Sequence, residues 1–137
     1  MVPILDYGKA IMQARNSRYR ILIVEDEALV ADSLSYLLEE AGYNATTVAD
    51  GREGLERVLE SPPDLIISDY MMPRMNGLEM IKRLRAAGNT TPIILLTAVP
   101  EANLPPDAGY ALYLRKPYIE DRVLESVRKM MLSVGLK

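Results

Sequence analysis

Five short runs of branched apolar residues recur along the chain: Ile21-Leu22-Ile23-Val24, Ala45-Thr46-Thr47-Val48, Leu65-Ile66-Ile67, Ile93-Ile94-Leu95-Leu96 and Ala111-Leu112-Tyr113-Leu114. The first, third and fourth are apolar at every position, so neither face is suited to water. Strands of that kind belong to parallel sheets covered by helices above and below. The intervening segments carry helical periodicity. Val30, Leu34, Leu37, Leu38 and Ala41 form one stripe, ended by Gly42. Leu55, Val58 and Leu59 form a second, stopped by Pro62-Pro63. Leu78, Ile81 and Leu84 form a third, with Gly88 beyond it, and Val123, Leu124, Val127, Met130 and Met131 form the last. The alternation predicts an α/β fold, a doubly wound five-stranded parallel sheet with right-handed crossovers. The Met and Leu stripes read as core packing rather than as a cofactor box.

The fourth crossover breaks the pattern. Pro100, Pro105 and Pro106 crowd the stretch from Val99 to Gly109, which limits a regular helix there to one or two turns. Residues 1–18 stand outside the repeat as an N-terminal extension. Ile4, Leu5, Gly8, Ile11 and Met12 have helical spacing, which predicts a short helix followed by a polar linker from Arg15 to Arg18. The 137 residues suit one compact domain, expected over 19–134 with a tail at 135–137.

The chain has no cysteine and no histidine. A disulfide framework, a thiol nucleophile, a Cys/His zinc site and a histidine-based triad are therefore excluded. Chemistry must run on carboxylates, hydroxyls, lysine, backbone amides or a bound metal. The net charge of -3 argues against a general grip on nucleic acid. The N-terminus lacks a basic stretch and carries Asp6 among its apolar residues, unlike a signal peptide. No apolar run approaches the roughly 20 residues that span a bilayer. A cytoplasmic setting is expected.

Ligands of open parallel sheets sit at the carboxyl ends of the strands. Glu25-Asp26-Glu27 follows the first run, Asp69 the third, Thr97 the fourth and Lys116-Pro117 the fifth. With the first and third strands adjacent, Glu25, Asp26 and Asp69 converge. Carboxylates so close repel unless a cation sits among them, and a few oxygen ligands favour Mg2+, which keeps several waters and accepts a phosphate oxygen. Lys116 supplies a fixed positive charge and Thr97 a hydroxyl. The set suits a phosphoryl group on a carboxylate oxygen, whose transfer needs positioning and charge neutralisation. Taken singly, each residue has a plainer role. An acidic pair after a strand often caps the next helix, an Asp before a proline loop forms a turn, a Thr caps, and a Lys is a solvated charge. Their joint occurrence at four strand ends favours a shared site.

The segment Asp69-Tyr70-Met71-Met72-Pro73-Arg74-Met75-Asn76-Gly77 resembles the phosphoacceptor loop of bacterial two-component response-regulator receiver domains (CheY-like). Glu25-Asp26, Thr97-Ala98 and Lys116-Pro117 match that family in the family's order. The resemblance spans roughly residues 19–134 and implies a flavodoxin-like strand order 2-1-3-4-5. It implies that Asp69 accepts a phosphoryl group from a sensor histidine kinase or phosphotransfer protein. It further implies that Asp26, Asp69 and the Met71 carbonyl ligate Mg2+, with Glu25 acting through water. Thr97 and Lys116 would bind the phosphoryl oxygens, Tyr113 would be an aromatic switch, and the Lys116-Pro117 bond would be cis. In the family, the residues two after the acceptor and two after the threonine flank the hydrolytic water. Here they are Met71 and Val99, both apolar.

Three departures stand out. Glu25 replaces a more frequent Asp, and Asn76 replaces an Asp before Gly77, affecting the cap of the third helix. The interval from Thr97 to Gly109 is about three residues shorter than usual, close to one helical turn. That puts in question the family's signalling face of fourth helix, fifth strand and fifth helix. A haloacid-dehalogenase-type enzyme would need an Asp where Met71 stands. A flavin or dinucleotide module would need a glycine-rich loop where Glu25-Asp26-Glu27 stands. The competing reading within the family is a receiver-like binding module that acts without phosphorylation, and its mark would be a missing acceptor, lysine or acid pair. The reading that follows is a switch rather than an enzyme with a separate substrate, acting on a downstream protein with no direct contact to nucleic acid or membrane.

Overall fold

The computed structural model describes Gly8, Ile11 and residues 18–135. Gly8 and Ile11 are helical. Apart from them and Arg18, the short helix and linker expected over 1–18 lie outside the described residues, as do residues 136 and 137 of the expected tail.

The elements are β1 (Arg20–Val24), α1 (Ala28–Glu40), β2 (Asn44–Val48), α2 (Gly51–Glu60), β3 (Leu65–Ser68), α3 (Gly77–Ala86), β4 (Ile93–Thr97), β5 (Leu112–Arg115) and α4 (Glu120–Gly135). All four strand pairings are parallel, and the sheet order is β2-β1-β3-β4-β5. The doubly wound α/β architecture and the order expected from the sequence are both present.

Side chains alternate across a strand, so each apolar run divides between two core layers. Leu22, Val24, Ile66, Ile93 and Leu95 face one way and meet Val58 of α2 and Leu78, Met80, Ile81 and Leu84 of α3. Ile21, Ile23, Leu65, Ile67, Ile94 and Leu96 face the other way, against Leu34 and Leu38 of α1 and Val123, Val127 and Met131 of α4. Burying a side chain of this size contributes about 1.5–3 kcal/mol, so the two layers supply most of the folding drive.

The fourth crossover is one 3-10 turn, Glu101–Asn103, within an otherwise irregular loop. Leu104 and Ala108 drop from that loop into the core beside Leu95 and Ile81, filling the place of a helix stripe. The second stripe needs a correction: Leu59, expected in the core, is 50% exposed. The buried positions of α2 are Gly51, Gly54 and Val58, at i, i+3 and i+7, and Leu59 lies one residue past that line. Gly54 lets the helix lie close, since a Cβ there would come within 2.9 Å of the Met80 sulfur and 3.1 Å of Val24. Ala31 and Met80 join the core without having been expected there.

Candidate functional site

The pairing between strands runs one residue beyond their ends. The Glu25 amide donates to the Val48 carbonyl (3.0 Å), the Asp69 amide to Val24 (3.1 Å) and the Lys116 amide to Thr97 (2.8 Å). The backbones of the three residues that follow β1, β3 and β5 are thereby fixed as strand continuations, and their side chains meet above the sheet's carboxyl edge. Carboxylate oxygens of Glu25, Asp26 and Asp69 all lie within 4.8 Å of one another. Glu25 and Asp69 are buried, whereas Asp26 is exposed at the mouth. Lys116 Nζ donates to Glu25 Oε1 at 2.6 Å and to Asp69 Oδ2 at 2.9 Å.

Capping does not account for the acidic pair. Glu27 is the N-cap of α1 and makes no side-chain cap bond. Glu25 accepts the Glu27 amide through Oε2 at 3.1 Å while its other oxygen holds Lys116.

The electrostatics follow from crowding. Burial, with the Asp69 charge adding to it, pushes the Glu25 carboxyl above its usual range despite the lysine. Burial works against the Lys116 ammonium, but its hydrogen bonds to Glu25 and Asp69 outweigh it and hold the amine charged. Three carboxylates face one lysine, so room remains for a further positive charge. The donors are all hard oxygens, which is the ligand chemistry of Mg2+. The residues present fit that ion.

Asp69 Oδ1 accepts the amides of Tyr70 (2.6 Å) and Met71 (3.3 Å), orienting the carboxylate at the start of its loop. Met71 is exposed at the rim. Thr97 is buried at the end of β4, and its hydroxyl accepts the Val99 amide at 3.3 Å. The strand it ends lies between β3 and β5, which lead into Asp69 and Lys116. Tyr113 donates its hydroxyl to the Val99 carbonyl at 2.5 Å, and its ring packs 6.4 Å from that of Tyr110. The Lys116-Pro117 bond is cis. Asn76 caps α3 by accepting the Glu79 amide at 2.9 Å, as its position before Gly77 implies.

Two glycines set how the loop from Asp69 to Gly77 closes. A Cβ on Gly77 would lie 2.3 Å from the Asp69 carbonyl oxygen, and one on Gly51 would lie 2.4 Å from that of Met75. Backbone passes directly over backbone at both points.

Sequence reasoning missed Asp50, which is 2% exposed. It caps α2 by accepting the Glu53 amide at 2.9 Å and pairs with Arg74 of the loop that follows β3. The pattern Asp50-Gly51-Arg52-Glu53, a capping signature before an amphipathic run, was the available signal. Nothing local pointed to Arg74 as its partner.

The sequence profile of the response regulator receiver domain matches residues 21–128. The chain is 39% identical over 115 residues to "Response regulator MprA" of Mycolicibacterium vanbaalenii, covering 82% of this chain and 50% of that protein. It is 40% identical over 114 residues to "Transcriptional regulatory protein DltR" of Streptococcus agalactiae, covering 80% and 50%. The chain thus spans about half the length of these curated relatives. Among solved structures, the receiver domain of Francisella response regulator 1452 superposes with a TM-score of 0.80 at 28% identity, covering 85% of this chain and 98% of that one. The response regulator TrrA of Thermotoga maritima, in complex with Mg2+-BeF, superposes with a TM-score of 0.75 at 34% identity, covering 82% and 98%.

Proposed function

The chain belongs to the response regulator receiver family, whose members are phosphorylation-dependent signalling switches, and from that premise we propose that Asp69 is its phosphoacceptor. The observation that carries this assignment is the Lys116 ammonium, which joins Asp69 to Glu25 inside an acidic cluster open at Asp26. The donor is a phosphohistidine of a sensor kinase or phosphotransfer protein. An Asp69 carboxylate oxygen attacks phosphorus, the phosphorus–nitrogen bond breaks, and the imidazole nitrogen leaves with the electron pair.

Asp26, Asp69 and the Met71 carbonyl would hold Mg2+, with Glu25 behind them. Bound there, the ion would supply positive charge that offsets the charge on the phosphoryl oxygens. Lys116 neutralises a second part of that charge from a fixed direction, and its network with Glu25 keeps the amine protonated. The Tyr70 and Met71 amides orient the carboxylate before attack. The Thr97 O–H donates to a phosphoryl oxygen while its oxygen accepts the Val99 amide. Because Tyr113 holds the carbonyl of that same residue, a movement of the Thr97 loop reaches the aromatic side chain. That link is the route to a changed partner-binding surface on a downstream protein. The net charge of -3 supports a domain that does not itself grip nucleic acid. Among the described residues no helix is long and apolar enough to cross a membrane.

Acetyl phosphate with Mg2+ should add one phosphoryl group to wild type and none to Asp69→Asn. Intact mass and peptide mapping read this directly. Equal labelling of the mutant would overturn the assignment.

A further inference from the structure

We propose that Asp50 and Arg74 are positioning residues that clamp the far end of the acceptor loop and so set where its metal-binding backbone lies, an inference that rests on the reading of the site given above. Residues 69–77 leave β3 and enter α3 through a loop held at two places. The near hold is at Asp69, whose Oδ1 takes the Tyr70 and Met71 amides, and at Gly77, whose amide donates to the Tyr70 carbonyl at 2.8 Å. The far hold is on α2, an element that contributes nothing else to the site. Arg74 Nε donates to Asp50 Oδ2 at 2.8 Å, and a second guanidinium nitrogen, Nη2, closes on the same oxygen. The Gly51 amide donates to the Met75 carbonyl at 3.1 Å, and Met75 itself is buried in the core.

The conformation of Arg74 argues that the hold is built in. Its φ of 65° is the one positive value at a non-glycine among the described residues. Residues with a Cβ rarely adopt that region, so something must over-determine it. The tight turn centred on it, closed by the Met75 amide on the Pro73 carbonyl at 2.7 Å, aims the side chain back across the loop at Asp50. Asp50 divides its work, Oδ1 capping α2 and Oδ2 holding Arg74. Between the two holds lie Met71 and Met72, and with both ends pinned the Met71 carbonyl has little freedom. Groups that orient a metal's ligands act through affinity and rate rather than by touching the ion.

Asp50→Asn keeps the helix cap, because Asn caps as well as Asp, but removes the charge that holds Arg74. Arg74→Ala removes the other partner. Both variants should keep the wild-type circular dichroism, and Asp50→Asn should melt modestly below wild type at neutral pH, because the cap stays while the ion pair goes. Each should bind Mg2+ about tenfold more weakly by calorimetry, the low end for groups that orient metal ligands. Labelling by acetyl phosphate should slow at low Mg2+ and recover largely at saturating Mg2+. The double variant should lose no more than either single one, and Arg74→Lys should restore part of the loss. Amide exchange across 70–77 should quicken in both single variants. Unchanged Mg2+ affinity and labelling rate in both, with wild type active, overturns the clamp whatever the exchange shows. If wild type itself binds no Mg2+ and takes no phosphoryl group, the reading of the site has failed. Exchange then decides the clamp alone: faster exchange supports it and unchanged exchange overturns it.

Discussion

At the scale of single residues, the Asp50 carboxylate and the apolar pair Met71 and Val99 each carry a testable role. The backbone amide of Glu53, and then the Arg74 guanidinium, hold the Asp50 carboxyl below its ordinary 3.8. A carboxyl lowered in the folded state stabilises it above the unfolded value, and that contribution is lost as pH falls through the folded one. Acid unfolding followed by circular dichroism should therefore show wild type losing stability relative to Asp50→Asn from just below pH 4 downward. Parallel pH curves would contradict the role of the carboxylate. The other role concerns Met71 and Val99, the apolar residues expected to flank the hydrolytic water. A polar side chain that oriented that water could contribute about 1.4–2.8 kcal/mol at the transition state, ten- to a hundredfold in rate. Replacing Met71 with Asn and Val99 with Glu should accordingly speed loss of the phosphoryl group with little change in Mg2+ affinity. A double variant no faster than wild type means that apolar shielding does not control the lifetime.

At the scale of elements, the entry to α3 shows how a local preference can be reversed by what lies above it. Gly77 is the first residue of the helix, where alanine is the better former by about 1 kcal/mol. Yet a Cβ at that position would sit 2.3 Å from the Asp69 carbonyl oxygen. Backbone cannot swing aside as a flexible side chain could, so Gly77→Ala should destabilise the protein by about 1–3 kcal/mol in urea unfolding. It should also slow labelling of Asp69, because the residue that must shift carries the acceptor. A stabilised variant would show that the loop closes less tightly than the geometry requires. The elements that hold the site are thus tied backbone to backbone: β1 to β2 through Glu25, β3 to β1 through Asp69, and β5 to β4 through Lys116.

At the scale of the whole molecule, one core layer is walled by α1 and α4 and the other by α2, α3 and a loop. The loop fills its place with Leu104 and Ala108, but its single 3-10 turn offers no helical face beside β5. Activation-dependent pairing of two copies through the fourth crossover, β5 and α4 should consequently be weak. Sedimentation with and without beryllofluoride and Mg2+ checks this. A strong dimer that appears on activation and survives deletion of residues 1–18 would contradict it.

Hydrophobic periodicity made the fold legible in the sequence. Each strand and helix repeats its signal over three or more residues, so one misplaced side chain such as Leu59 leaves the architecture intact. The acidic cluster was legible for a related reason: parallel strands present their carboxyl ends together, so Glu25, Asp26, Asp69 and Lys116 could be brought together by counting. Tertiary structure alone decided what depends on a few ångströms between distant segments. Asp50 and Arg74 are separated by 24 residues with no periodic relation, and only the folded loop brings them together. The Thr97 hydroxyl oxygen also accepts the Val99 amide, a contact that only the folded turn supplies. Burial of apolar surface is additive and directionless, so a one-dimensional pattern can encode it. A hydrogen bond is short and directional, and its partner is chosen only after the core has set the backbone.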